Sequence, residues 1–494
     1  MHHHYSVLPL RGRAASGVVV SLCALLVLAA PGQVAARRDQ PSRLSEDGHQ
    51  LNLTTTSVTG KDGLVSPSER AAFPLDRYEV RDDGAGYFDV AERREFIRDH
   101  GTPGMNAQAE QLPLSQSCAA AMNMPVMAHK IQLPGFYPSP ERWRQAAQPF
   151  FAFEDAVTRL AGWWVVSGDP YPARCLTRML AKWAKQDGFL SFAFPQSPPQ
   201  AWFAIESSLF AAGLAYSTVQ EVAERDLPDQ AEHVEAWLDA VSREHISKSS
   251  YGPSCCNNHF YRRALHATII GVETDDDELF RYGVSALYAA LHEANPDGSL
   301  PRELMRGRRA LHYQNYANIY LTMIAQIVQR QGYDIYDVEV QGRTLNTLAN
   351  WAVGVIRDPS RIDKYTTDSQ NLGFMDDSQY FAWMEVYTDD FPNKGMQKLL
   401  NPRRPTYNRS AGGFLTLYFR EPDPQNAATT QTMVEVGNAF VSETESCAKD
   451  PRWHQQRDIE WRLECERTLR EEPTGQHSTG TDIYSKRLSQ QTGG

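Results

Sequence analysis

From about Ser139 onward, segment after segment of this 494-residue chain places apolar residues at helical spacing, while strand-like alternation is scarce. Phe150 to Val166 is one such segment, closing at Gly168. Pro172 to Lys185 follows, with a proline in its first turn and Gly188 just beyond its end. Trp202 to Ala223, Gln230 to Val241, Asp277 to Ala294, Arg309 to Gln331 and Asn346 to Ile356 continue the pattern. Turn signals such as Asn295-Pro296-Asp297-Gly298 separate them. Phe414 to Phe419 is the one short strand candidate. An all-α chain of antiparallel helices joined by turns is expected, as a bundle, a solenoid or a toroid of hairpins.

The two ends differ from this middle. Arg11 and Arg13 precede an apolar run from Val18 to Ala30, broken by Pro31-Gly32 and followed by Val34-Ala35-Ala36. That is the pattern of a secretory signal peptide over 1–36, the run being too short for a membrane anchor. Residues 37–110 are polar without sustained periodicity and read as a linker or loosely ordered extension. The helical region is placed at 111–425, and 426–494 reads as a polar C-terminal extension, with an exposed helix over Asp450 to Arg470 and disorder from Ser485. A periplasmic or secreted protein with no membrane span after cleavage is expected.

Beyond Cys23 in the leader there are six cysteines, an even number that suits disulfides in an exported chain. Cys118–Cys175 and Cys447–Cys465 are the natural pairs. Cys255 and Cys256 are adjacent, so they form a vicinal bond or stay unpaired. A zinc site including His259 is the alternative, but no second Cys/His pair has a usable spacing, and no metal or cofactor is expected. The net charge of −11, from 49 basic and 60 acidic residues, argues against nucleic-acid binding. It also requires that any polyanionic substrate be met by a locally basic cleft.

Two segments carry chemistry. Cys255-Cys256-Asn257-Asn258-His259-Phe260-Tyr261-Arg262-Arg263 opens a helix through Ile270, on which His259, Arg262, Arg263 and His266 share a face. Pro301-Arg302-Glu303-Leu304-Met305-Arg306-Gly307-Arg308-Arg309-Ala310-Leu311-His312-Tyr313 puts Arg306 in a loop and Tyr313 in the first turn of the next helix. Amide, imidazole, guanidinium and phenol are the groups a β-elimination on a uronate needs. Arg and Asn donors stabilise the charge that develops on the carboxylate as the neighbouring carbon-bound proton leaves. A Tyr or His moves that proton and delivers one to the leaving glycosidic oxygen. The ordinary alternatives are a structural histidine at a helix start, Tyr316 and Tyr320 in the core, and Arg308 and Arg309 as a solvated basic rim.

Asn257-Asn258-His259-x-Tyr261 and Arg306-Gly307-x-Arg309-Ala310-Leu311-His312-Tyr313 together resemble the two signature segments of the periplasmic poly(mannuronate) lyases, an alginate lyase family. Cys175 with Trp183-Ala184, Trp202, Asp297-Gly298-Ser299-Leu300, Gly332-Tyr333-Asp334-Ile335-Tyr336 and Gly412-Gly413 extend the likeness over roughly 111–420. The resemblance implies an incomplete (α/α) toroid around a deep cleft and an anionic polysaccharide as substrate. It gives carboxylate neutralisation to Asn258 and Arg306, proton transfer to His259 and Tyr313, and substrate contacts to Trp202, Asn257, Arg262, His312 and Arg403, with Arg404 the alternative to Arg403. Arg262 stands where the family has a Trp, and no lysine stands in Phe136-Tyr137-Pro138-Ser139-Pro140, Lys130 being nearby but not aligned. Arg262, three residues after His259, is expected at the cleft wall, where it would favour a more acidic polymer.

Three other functions compete. One is a lyase for glucuronan or another acidic exopolysaccharide, and one is a noncatalytic polysaccharide-binding protein, with exopolysaccharide secretion machinery as a partner. The last is an (α/α) glycoside hydrolase using two of Asp376, Asp377, Asp389 and Asp390.

Overall fold

The computed structural model describes residues 58–109, 112, 116–195, 199–250 and 252–420. The expected signal peptide, the Cys447–Cys465 pair and the C-terminal extension lie outside them. The helices of eight residues or more are α1 (Val90–His100), α4 (Pro140–Ser167), α5 (Pro170–Lys185), α6 (Gln200–Ser217), α8 (Pro228–Ile246), α9 (Asn258–Glu273), α10 (Asp277–Glu293), α12 (Ala310–Arg330), α13 (Leu345–Arg357) and α14 (Trp383–Asp390). Shorter ones are α2 (Pro103–Ala109), α3 (Cys118–Asn123), α7 (Gln220–Asp226), α11 (Pro301–Leu304), α15 (Lys394–Leu400) and α16 (Leu415–Phe419). Among the described residues there is no β-strand, only three isolated bridges.

Packing follows two concentric rows. α4, α6, α9, α12 and α14 contact one another in succession, while α5, α8, α10 and α13 pack outside them as hairpin partners. This is an (α/α) toroid. The inner row explains the composition of its helices. α6 is apolar nearly all round and α9 is buried at every position except His259, as helices enclosed on all sides must be. Close approach of α9 and α10 depends on Gly283, where a Cβ would overlap the Thr268 side chain.

Local signals set the ends. α4 begins with Pro140 and stops at Gly168, whose φ of +66° is the left-handed C-cap geometry that glycine adopts without a Cβ clash. The Asn257 side chain caps α9 by accepting the His259 N–H, and the Asp276 side chain caps α10 by accepting those of Glu278 and Leu279. Cys118–Cys175 ties α3 to α5 as expected, with Cα atoms 5.8 Å apart, and Cys255–Cys256 form the vicinal bond. Their sulfurs are joined to each other, so neither serves as a thiolate ligand.

Four expectations change. Trp202 to Ala223 is two helices, broken at Thr218-Val219, and α4 starts ten residues before Phe150, running through Pro149. Phe414 to Phe419 is not a strand: residues 415–419 are the short buried helix α16, and a brief apolar run has no period that separates the two forms. Residues 58–109 are no loose extension. Val65, Phe73, Tyr78, Tyr87, Ile97 and Met105 are buried in the core. Outside α1 and α2 most of this stretch is turns and irregular backbone, several of its N–H groups paired with distant side chains, which leaves no periodicity to read. The Val65 N–H donates to Glu293 (2.8 Å), that of Val80 to Asp277 (2.8 Å), and those of Arg81 and Asp82 to Gln331 (2.8 and 3.1 Å). Among the described residues no helix is long and apolar enough to cross a membrane.

Candidate active site

The N-terminus of α9 and the turn from α11 into α12 meet at one place. Asn257 is spent as the helix cap, its Oδ1 accepting the His259 N–H at 3.1 Å. Asn258 is 0% exposed and held from below by Glu303 of α11. One Glu303 oxygen accepts the Asn258 backbone N–H (2.6 Å) and the other accepts its Nδ2–H (2.9 Å). The Asn258 Oδ1 is buried with no hydrogen-bond partner among the described residues. A half-satisfied buried amide is costly and marks a group kept for something other than stability.

His259 is the single residue of α9 that reaches the surface. Its ring stacks on Phe203 of α6, with centroids 3.8 Å apart and planes 19° from parallel. Burial, with the charges of Arg262, Arg263 and Arg306, holds the imidazole pKa well below its ordinary value, so the ring is neutral at neutral pH. Its Nδ1 has no hydrogen-bond partner among the described residues.

Arg306 precedes Gly307, whose φ of +56° turns the chain toward α12. The Gln370 side chain clamps this turn, donating to the Gly307 carbonyl (3.1 Å) and accepting the Leu311 N–H (3.0 Å). The Arg306 guanidinium lies 4.0 Å from the centre of the Tyr313 ring. Tyr313 sits in the first turn of α12, its hydroxyl 2.6 Å from that of Tyr137. Burial pushes the Tyr313 phenol above its ordinary pKa; Arg306 opposes this and the Tyr137 hydrogen bond adds to it. Tyr137 itself is 47% exposed, also bonds Arg306, and is covered by the Arg309 guanidinium at 4.3 Å. Arg306 is thus the hub, its charge acting on His259, Tyr313 and Glu303.

The structure therefore brings Asn258, His259, Arg306 and Tyr313 together, but not all the expected substrate contacts. Trp202 is 0% exposed and lies under the Arg263 guanidinium, so it offers no platform to a sugar. Arg262 is not at the cleft wall. It is 8% exposed and turned back to α6, where its Nη2 donates to the Phe203 carbonyl (2.6 Å) and to the Ser207 hydroxyl. The apolar interior between α6 and α9 contains Glu206, 3.8 Å from Arg262, and that carboxylate draws the guanidinium inward. His312 stacks flat on Phe374 (4.7 Å, 7°) with the edge of Tyr380 against it, and burial, with Arg309 nearby, pushes its pKa down to about 4. Arg403 donates to the Leu399 and Met375 carbonyls (2.8 and 2.9 Å). Arg404 is committed to buried Glu385 at 2.7 Å, which leaves Arg403 as the more accessible of the two.

Tyr137, Glu303, Gln370 and Phe203 were not singled out from the sequence. Glu303 stands in the Pro301–Tyr313 stretch, three residues ahead of the signature that starts at Arg306, where the cations carry the signal. Tyr137 stands where a lysine was sought. Gln370 and Phe203 carry no local signal at all.

With this geometry in hand, likeness to known proteins is informative. The model of the family described as Alginate lyase matches residues 98–362. A polysaccharide lyase of Stenotrophomonas maltophilia (strain K279a) is 29% identical over 274 residues, 56% of this chain and 80% of that protein. An alginate lyase of Pseudomonas syringae pv. syringae (strain B728a) is 29% identical over 252 residues, 50% of this chain and 66% of that one. The crystal structure of alginate lyase A1-III from Sphingomonas species A1 superposes with a TM-score of 0.65 at 32% identity, over 71% of this chain and all of that one. The helical toroid, the two signature segments meeting at the N-terminus of α9 and these matches together lead to one assignment: the chain belongs to the alginate lyase family.

Proposed function

We propose that this chain cleaves a mannuronate-rich alginate by β-elimination. The observation that carries this reading is the convergence at Arg306: one guanidinium beside a neutral imidazole and a protonated phenol, at an otherwise buried helix end. The substrate carboxylate docks on Arg306, displacing Tyr137 from it, and engages the under-bonded Asn258 amide. As the proton on C5 leaves, negative charge moves onto that carboxylate, and donors already aimed there lower the barrier without reorganising. His259, uncharged at rest, accepts the C5 proton. The C–H electron pair becomes the C4=C5 double bond, the C4–O4 bond breaks, and the Tyr313 phenol gives its proton to O4. The products are a new reducing-end fragment and an unsaturated uronate, and solvent exchange then resets both groups.

Alginate enters through the relatives, one of which, alginate lyase A1-III, is known in a variant complexed with a tetrasaccharide. The preference for mannuronate rests on the resemblance of the two signature segments. With Arg262 turned into the core, its argument for a more acidic polymer falls away. Export to the periplasm or medium is part of the proposal and is supported by the leader-like residues 1–36 and by two disulfides. A place beside exopolysaccharide secretion machinery would give the same activity a different setting, and cell fractionation with and without that machinery tests it.

The test of the chemistry is ultraviolet detection of the unsaturated uronate across mannuronate, guluronate and glucuronate polymers. Polymannuronate should be cut fastest; equal rates on all three would remove the substrate assignment. Tyr313→Phe should lose about 10³–10⁴-fold in turnover on the polymer. A mannuronate derivative with fluoride at C4, which needs no proton to leave, separates the two roles. Tyr313→Phe should process it and His259→Ala should not. If Tyr313→Phe is equally inactive on the fluoride, Tyr313 takes the C5 proton as well.

A further inference from the structure

We propose that Glu303 is a positioning residue for the elimination, fixing the Asn258 amide so that its second N–H is the one presented to the substrate carboxylate. The inference rests on the lyase reading above and deepens it. Glu303 is 0% exposed, and its two oxygens each accept one hydrogen bond from Asn258. The backbone bond (2.6 Å) anchors the first residue of α9, and the side-chain bond (2.9 Å) decides which way the amide faces. An amide rotated by 180° would set Oδ1 against a carboxylate oxygen, two acceptors facing each other, so only one orientation survives. The Asn258 side chain makes no other hydrogen bond to a described residue, and its Oδ1 stays bare. Without Glu303 nothing else selects the donor.

Glu303 also reaches the second carboxylate-binding group. Its own carbonyl accepts the Arg306 N–H at 3.2 Å, and its charge faces the Arg306 guanidinium. A single residue therefore holds the amide of one segment with its carboxylate and, with its backbone carbonyl, begins the turn that carries the guanidinium of the other. The Glu303 side chain places the amide donor, and its charge faces the guanidinium that must act on the same substrate carboxylate, as preorganised charge stabilisation requires.

Glu303→Gln is nearly isosteric but puts an NH₂ where an acceptor stood. The Asn258 amide then turns its oxygen to that NH₂ and loses the outward donor. The assay is release of unsaturated uronate from polymannuronate by the full-length protein, with thermal denaturation alongside. Glu303→Gln should lower kcat by about 10²-fold with KM within threefold, as loss of one oxyanion-type donor does. Asn258→Ala should show the same loss, and the double variant should be no worse than Asn258→Ala alone, because residues acting as one unit are not additive. A kcat for Glu303→Gln within threefold of wild type, or additive losses in the double variant, overturns the proposal. Asn258→Ala with wild-type kcat overturns the role of Asn258 and the role of Glu303 with it, whereas an inactive Asn258→Ala beside an active Glu303→Gln overturns only the latter. Should Glu303→Gln not fold, Glu303→Asp keeps the charge and withdraws the carboxylate. It should cost kcat about tenfold in the wild-type background and nothing in Asn258→Ala, and any other pattern overturns the proposal.

Discussion

Removal of Glu206 should destabilise the protein by an amount that the structure allows to be worked out. Glu206 lies on α6 at 0% exposure and bonds Arg263 of α9 at 3.0 Å, both side chains being wholly buried. Arg262 stands 3.8 Å away on its other oxygen. Glu206→Ala leaves two guanidiniums in a dry interface with one carboxylate fewer. Breaking such a pair from one side costs about 3–5 kcal/mol, because the stranded charge cannot return to water. For a unit of about 360 residues the unfolding entropy is roughly 0.76 kcal/mol/K, so the midpoint should fall by about 4–7 °C. Calorimetry and denaturant titration measure this at pH 7. Turnover should fall too, since Arg263 also holds the Ser254 carbonyl just ahead of the α9 cap and supports Trp202. A midpoint shift below about 1 °C would refute the reasoning, since it would mean that water already reaches these arginines.

Four other outcomes follow from the geometry. Burial, against two hydrogen bonds from Asn258 and the Arg306 charge, pushes the Glu303 pKa up to about 7. Because the carboxylate form accepts both Asn258 N–H groups, kcat/KM should rise through pH 7, hold to about pH 10 where Tyr313 keeps its proton, and lose its acid limb in Glu303→Gln. Stability should move the other way. Glu303, Glu293 (about 7) and Glu154 (about 8) all have folded pKa values raised from 4.5 by burial, so their contribution is fully present below pH 4.5 and is lost as pH climbs through 7 and 8. The buried histidines, with values lowered from 6.5, complete their opposite effect about one pH unit above that, so a denaturation midpoint that rises over 7.5 to 8.5 would contradict this. Replacing Cys118 and Cys175 by alanine opens a link across 57 residues and should cost about 4 kcal/mol by chain entropy, read as a lower denaturant midpoint with activity intact in mild buffer. Arg262→Trp should overpack the α6–α9 contact and lower stability by about 1–3 kcal/mol, with the order of preference among uronate polymers unchanged.

How much of this could be read beforehand depends on how local the signal was. The outer helices carry a 3.6-residue apolar period and the inner ones long apolar runs, so most of them were legible to within a few residues. α16 was not, since five buried apolar residues have no period to distinguish helix from strand. The stretch 58–109 was not legible either, for its backbone is satisfied by Glu293, Asp277 and Gln331, 197 to 250 positions away.

At the site the division is the same. Chain order alone determined that Asn258 and His259 open one helix and that Arg306 and Tyr313 flank the entrance to another, because a cap residue and a glycine turn act on their immediate neighbours. Only the tertiary structure decided which of these side chains meet. It turned Arg262 and Trp202 inward, because Glu206 and the α6–α9 contact lie beneath them, and it brought Tyr137 onto Tyr313 across 176 residues. It also made Glu303 a partner of Asn258. A side chain's direction depends on what its helix packs against, and that environment is assembled from segments that share no neighbourhood in the chain.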